Sequence, residues 1–392
     1  MKKVLLAMSA WPLLFACSKS QNEISAPLTL AQPPVATAAV AATPSVDTVY
    51  LKKSTDNTVY ISNASSIKPG SVLVLQGSYL SVQILNLQGT SDKPIKIINK
   101  GQVTIGGYQS YNVVLTGKYF KLLGNGDASI KYGIKFVSKD NNTYGNFGLA
   151  LGASSNVEVA RCEFTHLQAG ILQNPSTGTA PLADCYYHDN YFHDFNNPTE
   201  QGRSEVFYLG NTGGVAYNAV FRFVNCRIEN NLIENVSGDG IQMANGTFIC
   251  KNNTIRNHGL AQLDWQRSGI LLGGNASGKI QNNVVTGGKG VAIQVLGVGD
   301  VEVSGNTVSN ISVSNLVNED LVYINSKGNA SQGTPTFKLS FLNNSIQGAA
   351  NRFGICNVTA TSMSAGAVFT GNKVSGTYLK PYAISSIDKW TN

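Results

Sequence analysis

The chain has 392 residues, a net charge of +7 and an apolar fraction of 42%, yet only 13% of its residues are charged. That leaves ample material for a core but too few Lys and Glu for long surface helices, and the 40 glycines, set among many Asn, Ser and Thr, favour short strands joined by turns. Lys2 and Lys3 supply part of the charge; the rest reads as thinly spread with no Lys/Arg run, which argues against a nucleic-acid tract and suits anionic and neutral glycans equally.

The N-terminus reads as an address. Lys2 and Lys3 precede an apolar run from Val4 to Ala16, too short to span a bilayer. The run ends in Leu14-Phe15-Ala16-Cys17, which resembles a bacterial lipobox. The resemblance implies cleavage before Cys17, lipidation of that cysteine and a stable anchor, since several acyl chains hold firmly. Ser18, rather than Asp, after the cysteine implies the outer membrane of the cell envelope. A plain secretory leader with an incidental cysteine is the alternative. Residues 18–46, with Pro27, Pro33, Pro34 and Pro44, cannot bury enough surface to fold and read as a tether. The expected division is a signal peptide over 1–16, a tether over 17–47 and one folded domain over 48–392.

From about Val49 the chain repeats. The unit is legible in Asn230-Asn231-Leu232-Ile233, Asn252-Asn253-Thr254-Ile255, Asn282-Asn283-Val284-Val285, Gly305-Asn306-Thr307-Val308, Asn343-Asn344-Ser345-Ile346 and Gly371-Asn372-Lys373-Val374. The steps from Asn231 to Asn253 and from Asn283 to Asn306 are 22 and 23 residues; longer steps add insertions. A second strand recurs between these units, as in Gly170-Ile171-Leu172, Gly240-Ile241-Gln242, Gly269-Ile270-Leu271 and Ala292-Ile293-Gln294. Short β-branched runs at a fixed step with no helical period are a solenoid signature. The recurring Asn fits a ladder at a turn, where its amide bonds the same amide one coil away. The cysteines form no C-x-x-C pair. Cys162, Cys185, Cys226, Cys250 and Cys356 read as small buried residues, with a Cys185–Cys226 disulfide left open because each lies five residues before a repeat Asn.

These features resemble the right-handed parallel β-helix of the pectate-lyase-like superfamily, from about Val49 to the C-terminus. The segments Lys68-Pro69-Gly70-Ser71-Val72-Leu73 and Gly89-Thr90-Ser91-Asp92-Lys93-Pro94-Ile95 carry the likeness at the entry to the helix. The whole is most similar to β-helix lipoproteins of Bacteroidetes-like bacteria. The fold class expected is therefore all-β: a single right-handed parallel β-helix with loop insertions, monomeric, on a lipid anchor.

Candidate chemistry concentrates in the middle coils. Aligning Phe207, Ile241 and Ile270 as one inward column sets Glu205, Asp239 and Ser268 in register two places earlier. Adjacent strands lie ~4.8 Å apart, so two carboxylates there repel and one is expected to keep its proton near neutrality. That is the equipment of a glycosidase. Tyr208 and Gln242 are expected to face out toward sugar rings and hydroxyls, and Arg203, Trp265, Gln266 and Arg267 to wall a groove. The same carboxylates also fit turn capping or calcium ligation. His188, His193 and Asp194 form a second cluster, suited to a proton relay or to surface structure.

Three functions remain open: hydrolysis of a polysaccharide by Glu205 and Asp239 with no cofactor; calcium-assisted β-elimination of a uronate polysaccharide, as the superfamily resemblance implies, with Arg203 or Arg267 as base; and binding of a glycan or partner without cleavage.

Overall fold

The computed structural model describes residues 48–107, 111–138, 146–175, 180–195, 204–210, 221–263, 266–274, 276–297, 299–313, 319–325, 338–357, 367–384 and 389–391. Cys17, Arg203 and Trp265, like the leader and the tether, lie outside the described residues.

Described secondary structure is strand throughout, and every strand pairing is parallel to the coil above or below. The chain winds as a right-handed parallel β-helix, the hand that parallel crossovers take. Each coil has three faces. On the first, Phe147–Ala150, Ala169–Gln173, Glu205–Leu209, Asp239–Met243, Ile270–Leu272, Ile293–Val295, Val322–Ile324 and Phe353–Asn357 stack in turn. The second holds Ser155–Ala160, Tyr186–His188, Phe223–Glu229 and Gly246–Lys251. The third holds Cys162–Thr165, Tyr191–Phe195, Leu232–Val236 and Thr254–Arg256.

Like residues superimpose because the coils stay in register. Ile171, Phe207, Ile241, Ile270 and Ile293 form one fully buried column. On the third face Phe136, Phe164 and Phe192 stack at ring-centroid distances of 4.3 and 4.6 Å. Burying each apolar side chain against its counterparts supplies the stability that no single coil has alone.

The second and third faces meet at a tight bend, and this is where the Asn doublet acts. Its first residue takes left-handed φ at Asn230, Asn252, Asn282 and Asn343, with values between 53° and 56°. Asn pays little for this conformation. The second residue turns inward and builds the ladder. Nδ2 of Asn190 donates to Oδ1 of Asn231 at 3.1 Å, and the bond repeats through Asn253, Asn283, Asn306, Asn344 and Asn372 at 2.9–3.0 Å. Each Oδ1 also caps the backbone N–H of the Asn on the neighbouring coil. The ladder thus satisfies the polar groups that a buried bend would otherwise strand.

Cys162, Cys185, Cys226, Cys250 and Cys356 are buried free thiols. The Cys185–Cys226 disulfide considered above does not form. The two do sit on neighbouring coils, one place before the paired Tyr186 and Arg227. Parallel in-register Cβ atoms stand ~4.8 Å apart, wider than the ~3.8 Å a disulfide favours.

Candidate functional site

Glu205 and Asp239 are direct partners across adjacent strands of the first face, as are Phe207 with Ile241 and Tyr208 with Gln242. Glycine fixes the approach: a Cβ on Gly238 would lie 2.1 Å from the Ser204 carbonyl oxygen, so the residue before Asp239 has no room for a side chain. Both carboxylates are buried, Glu205 at 7% exposure and Asp239 at 0%. Gln266 Nε2 donates to Glu205 Oε1 at 2.5 Å, and the Ser268 backbone N–H donates to Asp239 Oδ1 at 2.6 Å. Ser268 Oγ donates in turn to Gln294 Oε1 at 2.7 Å. The register of Glu205, Asp239 and Ser268 is the expected one.

Their setting differs from an open groove. Strand alternation gives the two carboxylates the phase of core-facing Phe207 and Ile241, at the corner where the strands begin. Tyr208 and Gln242 take the opposite phase, and Tyr208 is half-buried while Gln242 is 1% exposed, its Nε2 donating to the Gly210 carbonyl at 3.3 Å. Gln266 and Arg267 are each 6% exposed. Arg267 is not a groove wall but an internal tie: its guanidinium pairs with Glu319 and donates to the Gln262 carbonyl. Of the expected lining, Tyr208 alone among the described residues keeps partial exposure.

The column continues beyond Ser268 to Asp320. Asp320 stands two places before Val322, the phase of Asp239 before Ile241, and is 1% exposed. It accepts the Phe353 backbone N–H at 3.1 Å, as Asp239 accepts that of Ser268, and takes two bonds from Arg352 at 2.5 and 3.2 Å. Burial raises the carboxyl pKa of Glu319 and of Asp320, with the neighbouring guanidiniums working against it. The sequence signal was the spacing of Asp320 to Val322, which repeats that of Asp239 to Ile241.

The histidine cluster proves to be two copies of one arrangement on the outer surface. In Tyr186-Tyr187-His188-Asp189, His188 bonds Asp189 at 2.8 Å and Glu158 at 3.2 Å, and Glu158 pairs with Lys121 at 2.6 Å. In Tyr191-Phe192-His193-Asp194, His193 bonds Asp194 at 2.7 Å and Glu163 at 3.1 Å, and Glu163 pairs with Lys135 at 2.6 Å. Each tyrosine ring stacks on its histidine, at 3.9 and 4.4 Å. Burial disfavours the charged form of His188 and His193, but the carboxylates on both ring nitrogens outweigh it and raise each pKa. The His188 bond, with Lys121 behind it, lowers Glu158 to about 2. His188 and Asp189 lie on the second face and its bend, His193 and Asp194 on the third, so they form two stations rather than one relay. His258 is different again: fully buried, it bonds the Gly290 and Val291 carbonyls, and burial lowers it to about 4.

Among the described residues no group of three or more His, Cys, Asp or Glu side chains is placed to hold a metal ion.

Comparison with known proteins gives the following likenesses. No curated protein sequence matches the chain. Among solved structures it is similar to an alginate lyase from Paenibacillus sp. str. FPU-7, with 17% identity over 85% of this chain and 99% of that chain and a TM-score of 0.47. It is also similar to the A-module of mannuronan C-5 epimerase AlgE4 from Azotobacter vinelandii, with 14% identity over 82% and 91% of the two chains and a TM-score of 0.47. A mannuronic acid specific polysaccharide family 6 lyase from human gut microbiota shows 11% identity over 82% and 78%, with a TM-score of 0.37. Residues 202–378 match the family described as right handed beta helix region, a stretch that contains Glu205, Asp239 and the Asn ladder from Asn231 to Asn372.

Proposed function

We propose that the protein is a carbohydrate-active solenoid that cleaves glycosidic bonds in a polysaccharide by hydrolysis, with Glu205 and Asp239 as its carboxylate pair. The observation that carries this reading is their direct pairing across adjacent strands, with Gln266 fixing one oxygen of Glu205. Strands ~4.8 Å apart approach the ~5–5.5 Å separation of carboxyls in retaining glycosidases. Glu205, the more exposed of the two, is the acid that meets the scissile oxygen. Asp239, held by the Ser268 N–H, supplies the second carboxylate.

β-Elimination is the weaker reading, because Arg267, one candidate base, is committed to Glu319; Arg203 is the other. Binding without cleavage is favoured by a specific observation: Asp239 caps Ser268 as Asp320 caps Phe353, a purely structural use of the same position. Glu205→Gln separates these readings. It preserves shape and the Gln266 contact, so the melting temperature stays within a few degrees while reducing-sugar release falls at least 100-fold. Full turnover in the variant overturns the role of Glu205. An ultraviolet-absorbing unsaturated product would assign β-elimination instead.

We further propose that Cys17 is lipidated and that the domain hangs from the outer membrane on residues 18–47, acting as a monomer on extracellular glycan. Cys17→Ala should release the protein from the membrane fraction into the soluble fraction; retention in the membrane would refute the anchor.

A further inference from the structure

Charge is not evenly distributed along the solenoid. Residues 48–135 hold ten lysines, no arginine and three carboxylates, a net charge of +7, whereas residues 136–392 hold 16 cations and 17 anions. The first coils therefore carry the whole cationic excess of the domain. Lys52, Lys53, Lys93, Lys96, Lys100 and Lys118 are exposed, and none of the six forms an ion pair among the described residues. Lys96 stands directly opposite Lys121 on the next strand; Lys121 is neutralised by Glu158, while Lys96 keeps its charge toward solvent.

This cationic end has a concave feature. Tyr50, Leu51, Lys52, Lys53, Val74, Gln76 and Tyr79 line a shallow cleft of about 390 Å³. Tyr50 is 51% exposed, with the Lys100 ammonium 5.3 Å from its ring centroid. Lys53 lies 5.8 Å from the Tyr79 ring and donates to the Ser78 carbonyl at 3.1 Å. The exposed Tyr50 ring, with ammoniums beside it, matches a sugar acid, whose ring face stacks and whose carboxylate takes the charge.

We propose that the first coils form a second, non-catalytic binding surface for an anionic polysaccharide, centred on Tyr50, Lys52, Lys53 and Lys100 and separate from Glu205 and Asp239. The choice of a glycan among polyanions rests on the functional reading above, and the cleft favours it over a flat anionic membrane. The surface holds the polymer by its charge while the first face works on another part of it. Screening over ~8 Å at physiological salt makes the attachment ionic-strength dependent.

Affinity electrophoresis of the whole protein tests this, with polygalacturonate, dextran and phosphatidylglycerol vesicles as separate probes. Polygalacturonate should retard the protein and dextran should not, with retardation fading in high salt. Lys52→Gln/Lys53→Gln/Lys100→Gln should weaken retardation at least tenfold with an unchanged melting temperature, since all three side chains are exposed. Glu205→Gln should leave retardation intact, so failure of the catalytic reading and failure of this one are distinguishable. Undiminished retardation of the triple variant, equal retardation by dextran, or capture by vesicles without retardation by polygalacturonate each overturns the proposal.

Discussion

The corner of the first face and the outer surface of the second and third faces both carry rows of acids, but they use them in opposite ways. At the corner, Glu205, Asp239 and Asp320 are 7%, 0% and 1% exposed, and two of them spend an oxygen on the backbone of the next coil. On the outer surface, the side chains of Glu158 and Glu163 keep 24% and 19% exposure, and each sits between a lysine and a histidine. A buried charge is costly to orphan, while a half-exposed ion pair is worth little. The same residue types therefore contribute structure at the corner and a mild, pH-dependent bias on the surface. The contrast also bears on the catalytic reading. Asp320 and Asp239 share one phase and one capping habit, and Glu205 accepts a side-chain amide, that of Gln266.

The most damaging single change should lie at neither set of acids but at the bend between the outer faces. Asn253 is fully buried; its Oδ1 accepts from the backbone N–H and Nδ2 of Asn231, and its Nδ2 donates to Ile228 O and Asn283 Oδ1. Asn253→Ala strands several buried groups, each costing about 1–3 kcal/mol, so a loss on the order of 4 kcal/mol is expected in urea unfolding. A loss below ~1 kcal/mol would mean that coil stacking, not the ladder, holds the bend.

The ladder was legible in the sequence because one residue type recurs at one phase, which packing alone never demands. The Glu205–Asp239 register was legible for the same reason: Phe207 and Ile241 fix the column. Burial was not. Gln242 follows the alternation of its strand and Arg267 lies in the loop before Ile270–Leu272, yet their exposure depends on what packs over the corner, and no local pattern announces that. The surface stations were half legible. Tyr186-Tyr187-His188-Asp189 and Tyr191-Phe192-His193-Asp194 repeat after five residues, and the bend carries the same phase from one face to the next. The cationic first coils were missed because lysines scattered along the sequence form no run; counting charge coil by coil reveals them.

At the corner, Arg352→Leu should cost about 3 kcal/mol, because it removes two hydrogen bonds from a carboxylate that is 1% exposed. The loss should shrink as pH falls. Burial already raises Asp320, and without the guanidinium its pKa rises further, so protonation relieves the native state at low pH. Urea melts at several pH values check this, and a pH-independent loss would show that Arg352 acts by packing.

The smallest effect belongs to the outer surface and carries a distinct pH signature. The raised pKa of His188 contributes stability that is fully present below its ordinary value of 6.5 and fades as pH rises through the folded value. The lowered pKa of Glu158 contributes stability that is present above 4.5 and fades as pH falls toward about 2. The pair is therefore worth most between pH 4.5 and 6.5. His188→Gln should cost less than about 1 kcal/mol, with the difference from the native protein largest in that window and shrinking toward pH 8. His258 works in the opposite sense: lowered from 6.5 to about 4 by burial, it makes the native fold lose stability as pH falls between those values. Because His258 is present in both proteins, the difference curve isolates the surface station. A flat difference across pH would show that His188 contributes through its stacking on Tyr186 rather than through its charge, and would remove the electrostatic distinction between the outer faces and the corner.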